Sequence, residues 1–364
     1  MKKLFTPGPL NTSATVKEAM LTDVGSRDRL FIEAVRFVRE ELINVAGVHP
    51  DEYTSVIIQG SGTFAIESAI TSAVPQTGKL LLLINGVYGD RMRKIATVHG
   101  IDHVCLRWAE NEAIDATLVE DLLMNEPDVT HIAWVHSETT SGAFNPVSDV
   151  SELCKKYGKS GILDAMSSFG AATIHLQGSG IDFLVSSSNK CIQGTPGFAF
   201  VVARTGALKA TEGQARTLTL DLYDQWVGLE KNGQFRFTPP TLALMSFRQA
   251  LLELQDEGGV NARELRYMAN NRVIREGLKE LGFIQYLPDE IQGHIITTFL
   301  YPADNFDFGS FYDKLNERDC VIYPGKLTQA DTFRIGNIGH LFENDMYYLV
   351  ESIKGVLNEM NINK

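Results

Sequence analysis

The run Ile181–Val202 reads IDFLVSSSNKCIQGTPGFAFVV, and the rest of the chain is organised around it. Two apolar stretches, IDFLV and GFAFVV, have the composition of strands. They flank a polar hinge of three serines, an asparagine, one lysine and a Gly-Thr-Pro-Gly turn. A lysine in such a hinge is either a solvated loop residue or a group that sheds its proton at moderate cost and attacks a carbonyl. Upstream, Asp164 closes another short apolar run in SGILDAMSSFGA. An acid at the C-terminal end of a parallel strand stands where an open α/β sheet presents its ligand groups. Asp164 followed by Lys190 supplies the two groups that pyridoxal phosphate chemistry needs. The amine bonds the cofactor, and the carboxylate holds a proton on the pyridine nitrogen, which makes the ring an electron sink.

A second informative stretch is TSVIIQGSGTFAIESAITSAV. TSVII is a β-branched strand, QGSGT a glycine-rich turn, and Phe64 to Val74 carries apolar residues at helical spacing. Strand, turn and helix N-terminus together make an anion cradle, with free N–H groups at Ser61, Gly62 and Thr63. The alternative is a turn whose glycines serve only close packing. The third glycine of a dinucleotide fingerprint and the G-K-[ST] of a P-loop are both missing, which disfavours NAD and ATP.

From LLLLI to GILD, strand and helix patterns alternate regularly. This alternation predicts an α/β large domain with a mostly parallel sheet covered by helices on both faces. Loops at the strand ends then carry further candidates. Tyr88 in NGVYGDRM can stack on an aromatic cofactor face or fill the core. Thr139 and Thr140 in HSETTSG offer hydroxyls to a phenolate oxygen or cap the next turn. His136 has no metal-ligand partner at a usable spacing and reads as a structural histidine, so no metal is expected. Residues 204 to 240 lose the alternation and read as irregular, with KNGQFRFTPPT as an extended segment. Two amphipathic helices follow, the second a long connector, and then short strands and helices of a smaller C-terminal α+β domain. The expected divisions are an arm at 1–15 associated with the small domain, a large cofactor-binding domain at 16–258 and a small domain at 259–364. In DTFRIGNIGH, Arg334 stands alone between apolar residues, either paired to a structural acid or serving as a fork for a carboxylate or phosphonate. Arg27 and Arg29, just ahead of a helical pattern, are the other arginines that could reach an anion.

Composition narrows the classes. With 44% hydrophobic and 21% charged residues over 364 positions, the chain can bury a large core and suits about two domains. A net charge of -12 without a basic run disfavours nucleic acid and anionic membranes as partners. Cys105, Cys154, Cys191 and Cys320 are widely spaced and read as reduced thiols of a cytoplasmic protein. No signal-peptide core and no membrane-spanning run is evident.

The stretches TPGPLNTS, DVGSRD, QGSGTFAIE, NGVYGDRM, HSETTSG, LDAMSSFGA, SSSNKCIQGTPG, FRFTPPT and FRIGNIG run nearly end to end. Together they resemble the pyridoxal phosphate-dependent aminotransferases of fold type I, in the class V branch with the alanine:glyoxylate and serine:pyruvate enzymes. The resemblance implies that Lys190 is the cofactor lysine, Asp164 the ring-nitrogen partner, Ser61, Gly62 and Thr63 part of the phosphate cup, and Tyr88 the stacking residue. It implies a homodimer in which Thr238 of the neighbouring chain reaches the phosphate, and substrate binding by Arg334 and by Gly8 of the arm. The reaction it implies is transfer of the amino group of 2-aminoethylphosphonate to pyruvate. Alanine or serine with glyoxylate is the alternative within the branch, and a cysteine desulfurase-like lyase a more distant one.

Overall fold

The computed structural model describes residues 2–327 and 330–362. Seven strands form the main sheet in the order Tyr53–Gln59, Phe198–Arg204, Ile181–Ser187, Ser160–Asp164, Val129–Val135, Lys79–Ile84 and Asp102–Arg107. The last five of these run parallel to one another. Phe198–Arg204 is antiparallel to both strands beside it, so the sheet is mixed. The cause lies in the opening stretch: residues 188 to 197 give too short a connection for the crossover that a parallel pair requires. Every residue from Leu80 to Ile84 is buried, as a strand covered on both faces must be.

The segment 204–240 is more regular than its sequence suggests. It contains the helices Thr205–Lys209 and Leu222–Asn232. Asp221 caps the second by accepting from Asp224 N, and Gly233 in the left-handed region ends it. Leu222 and Leu229 are buried, and Gln225 Nε2 donates to the Ile57 carbonyl at 3.0 Å, which fastens this helix over the strand Tyr53–Gln59. In the helix Arg29–Ala46 the expected apolar face is present, except that Leu30 is exposed at the first turn.

Helices Thr241–Glu257 and Gly259–Glu280 meet at Gly258, whose φ of 108° favours glycine. One apolar core surrounds the main sheet, and another gathers Phe5 with residues from Val273 to Leu357. We propose the domain boundary at Gly258 on that division. The second core lies under the antiparallel strands Ile296–Leu300, Thr332–Gly336 and Tyr323–Pro324. The N-terminal arm belongs with it: Lys3–Leu4 pairs in parallel with Cys320–Val321, and Phe5 is fully buried. Among the described residues no helix is long and apolar enough to cross a membrane.

Phe283 sits at the centre of the second core, 5.3 Å from the ring of Phe333 and 6.3 Å from those of Phe299 and Phe311. Phe283→Ala should lower unfolding free energy by about 3–5 kcal/mol, measured by urea denaturation, whereas a loss under about 1 kcal/mol would show that the cluster closes over the gap.

Candidate active site

The loop between strands Ile181–Ser187 and Phe198–Arg204 is braced from inside by its own serines. Ser188 Oγ donates to the carbonyls of Thr195 at 2.7 Å and Phe198 at 3.0 Å, and Ser186 Oγ to that of Ala165 at 3.2 Å. This holds Lys190 at one wall of a cavity of about 200 Å³. Part of the Lys190 surface remains accessible through the cavity mouth, but enough protein surrounds the amine that desolvation pushes it down to about 8. Its Nζ donates to the Pro7 carbonyl of the arm at 2.8 Å. Gly8 packs so closely that a Cβ there would overlap the Lys190 amine, and with φ at 133° the position also demands glycine conformationally.

Asp164 stands at the end of its strand on the same cavity, 5% exposed. Burial pushes its carboxyl up to about 6, opposed by a hydrogen bond from Met166 N at 2.9 Å and by the charges of Arg91 and Lys190. Above that pH it is an anion. Opposite, Ser61 is the N-cap of helix Gly62–Ala73 and its side chain makes no capping bond, so the first turn presents free donors to the cavity. A Cβ at Gly62 would collide with Met166, which is how closely the cradle approaches the Asp164 strand end.

Ser61, Gly62, Thr63, Tyr88, Asp164 and Lys190 therefore share one cavity. Other expected residues are placed differently. The Thr140 hydroxyl donates to Glu138 Oε1 at 2.7 Å, so it caps within its own loop, and Glu138 Oε2 accepts from Tyr88 N at 3.1 Å. Thr139 presents its carbonyl to Arg334 Nη1 at 2.9 Å. Arg334 is 2% exposed and its Nε donates to the Pro324 carbonyl at 3.0 Å, so its guanidinium is held by backbone oxygens. Arg29 instead pairs with Glu33 on the surface, and Arg27 lines a separate cleft on helix Arg29–Ala46. Thr238 is exposed and does not line this cavity, though its carbonyl accepts from Gln59 Nε2 at 3.4 Å. His136 is buried and bonds Ser168 Oγ at 2.9 Å through Nδ1, a structural role.

Two residues on the cavity escaped the sequence reading. Arg91 donates to Thr63 Oγ1 at 3.1 Å and lies with its guanidinium carbon 4.8 Å from the Tyr88 ring centroid. It sits one helical turn from Tyr88, a spacing visible in NGVYGDRM. Ser187 has a buried hydroxyl with no hydrogen-bond partner among the described residues. An orphaned hydroxyl on a cavity that also takes in a helix N-terminus calls for a ligand with acceptor oxygens. A phosphate meets that need, and with the amine and carboxylate nearby the residues present fit pyridoxal phosphate. A desulfurase would need a reactive thiol. Cys191 and Cys320 are buried, and burial pushes the Cys191 thiol up to about 12.

Comparison with known proteins agrees with this chemistry. The family model described as aminotransferase class-V matches residues 13–326. The 2-aminoethylphosphonate–pyruvate transaminase of Bacteroides fragilis is 50% identical over 353 residues, covering 96% of this chain and 98% of the relative. That of Bacillus cytotoxicus is 49% identical over 351 residues, 96% of each. Among solved structures, an alanine–glyoxylate aminotransferase from Nostoc sp. superposes with a TM-score of 0.89 at 25% identity, over 98% of this chain and 95% of the other. With its fold, its cavity and nearly its whole length matched in this way, the chain belongs to the class V aminotransferases.

Proposed function

We propose that this protein transfers the amino group of 2-aminoethylphosphonate to pyruvate, giving phosphonoacetaldehyde and L-alanine, with pyridoxal phosphate as cofactor. The observation that carries the reading is an enclosed lysine, its amine pushed down to about 8, on one cavity with a buried carboxylate and a helix N-terminus. When bound, the cofactor supplies an electron-withdrawing ring that stabilises negative charge on the substrate carbon. The protein does the rest. Lys190 would hold the cofactor through Nζ and, with that amine free, would take the proton from the carbon beside the substrate amine and return one. Asp164 would hold a proton on the ring nitrogen. The free N–H groups of the Gly62–Ala73 helix and the hydroxyls of Ser61, Thr63 and Ser187 would hold the phosphate, and Tyr88 would contact the ring.

Arg334 takes the anionic end of either substrate, because a fork fixed by two backbone carbonyls fits the paired oxygens of both carboxylate and phosphonate. Gly8 leaves the room in which the arm closes on Lys190. The protein works as a homodimer, with exposed Thr238 reaching the phosphate bound by the other copy. Its four unpaired cysteines suit a reducing compartment, and we place it in the cytoplasm.

Borohydride reduction of the loaded protein should leave cofactor on the peptide containing Lys190, and label on any other lysine would refute its role. Asp164→Asn should retain cofactor while proton transfer slows by several powers of ten, on the order of 4 kcal/mol of barrier; a variant turning over normally would show that Asp164 does not hold the ring proton. In single turnovers followed by absorbance, 2-aminoethylphosphonate should aminate the cofactor faster than alanine or serine, with pyruvate preferred over glyoxylate in the return step. The opposite ranking would move the protein to the alanine:glyoxylate activity.

A further inference from the structure

The connector helix Gly259–Glu280 reverses the usual rule for a helix face. Arg263, Tyr267, Asn270 and Asn271 recur at three- and four-residue steps and are all buried, so the inward side of its first half is polar. Apolar burial resumes at Val273, Ile274 and Leu278. Buried polar groups are tolerated only when hydrogen-bonded, and here the bonds go to two loops that serve the site. The Tyr267 hydroxyl accepts from Gln193 Nε2 at 2.6 Å and from Gly339 N at 3.0 Å, and Gln193 Nε2 also donates to the Gly339 carbonyl at 2.8 Å. Arg263 Nη1 donates to the Cys191 carbonyl at 2.6 Å.

Both loops lead to functional side chains. Gln193 closes a turn with Lys190, its N donating to the Lys190 carbonyl at 2.8 Å. It is held at φ 67°, a left-handed conformation that persists in a non-glycine residue only where the surroundings impose it. Gly339 follows the strand Thr332–Gly336 that carries Arg334, and Asn337 between them donates to the Tyr267 carbonyl at 3.0 Å. The Tyr267 phenol, together with the direct Gln193–Gly339 bond, thus ties the lysine loop of the large unit to the turn after the arginine strand of the small one. Phenylalanine would fill the same space and leave the direct bond without the two that the phenol makes.

We propose that Tyr267 is a positioning residue for the reaction: through Gln193 its hydroxyl fixes the lysine loop against the Arg334 strand, and so sets where the Lys190 amine stands relative to the substrate anion. Of Tyr267, Gln193, Arg334 and Lys190 only Lys190 lines the cavity, so the effect of Tyr267 passes through the placing of the lysine loop against the Arg334 strand. Besides enclosure, which acts most strongly on the amine, the charge of Asp164 raises it and those of Arg334 and Lys326 lower it, and a loop free to move changes its distance from each as well as its access to water.

The inference rests on Lys190 being the cofactor lysine, and the test separates the two. The full-length chain is freed of cofactor and incubated with pyridoxal phosphate and cyanoborohydride over a pH series, and label on the Lys190 peptide is followed by mass spectrometry. In the wild type the labelling rate should rise through about pH 8. In Tyr267→Phe the amine is better solvated and titrates nearer the ordinary lysine range, so labelling at pH 8 should slow by about two- to fivefold. The KM for pyruvate should rise in the same variant. Gln193→Met, which removes the amide donor from the other side, should reproduce both changes. A variant that melts at lower temperature but keeps the wild-type labelling profile and KM would make Tyr267 structural only, and failure of both variants to fold would assign the stripe to folding and remove the proposal. Wild-type label on another lysine would instead overturn the role given to Lys190.

Discussion

An amine must lose its proton before it can attack a carbonyl, and near neutral pH a lysine does so only where water solvates its charge poorly. Under the proposed function that requirement falls on Lys190, and much of the architecture around it meets it. The loop is kept short, so that the chain turns straight back as an antiparallel strand and cannot swing the lysine outward. Its serines satisfy the loop's own carbonyls, and the arm closes from the other side through Pro7 and Gly8. Desolvation is the largest influence on the amine, with Asp164 pulling in the opposite direction. The same burial pushes Asp164 upward, yet only to about 6, so that it remains an anion at neutral pH. Enclosure thus moves the lysine toward its neutral form, while Asp164 stays an anion in spite of it, each moderated by the other's charge.

Anion binding is handled by a different economy. The chain is acidic overall, so positive potential has to be supplied locally. At the cradle it comes from a helix N-terminus, backed by Arg91. At the substrate end proposed above it comes from Arg334, buried and oriented by main-chain oxygens. An arginine fixed by carbonyls keeps its full charge available, whereas one paired to a carboxylate would offer an incoming anion much less. Burying that guanidinium is costly, and the carbonyls of Thr139 and Pro324 offset part of the penalty.

Local chemistry was readable from the sequence, and long-range chemistry was not. Lys190, Asp164 and the Ser61–Thr63 cradle stand out because each lies within a few residues of the strand end or helix start that places it, and all meet on one cavity. Of the two uses open to Thr140, capping prevails because its partner Glu138, two residues away, is itself fixed by Tyr88 N from the first turn of the distant helix Val87–Val98. Ser187 looked like one serine of three; only the fold shows that Ser186 and Ser188 spend their hydroxyls on backbone while Ser187 does not. The helix Leu222–Asn232 carries its own signals, with Asp221 and Gly233 bracketing it and Leu222, Trp226 and Leu229 at helical steps, but they are crowded into a segment that otherwise lacks periodicity. The connector helix misled in another way. Its buried stripe is polar, so periodicity of hydrophobic residues points to the wrong side.

The arm has a consequence for how the protein is made. Phe5 lies in a core whose other members run from Val273 to Leu357, and Lys3–Leu4 takes its strand partner from Cys320–Val321. During synthesis the main sheet can close once the strand Phe198–Arg204 has left the ribosome, but the segment Lys3–Phe5 must wait for residues 320 to 357 before it has anywhere to pack. Until then Pro7 and Gly8 have no fixed support from which to close over Lys190, so that side of the amine stays open while the sheet behind it is already built.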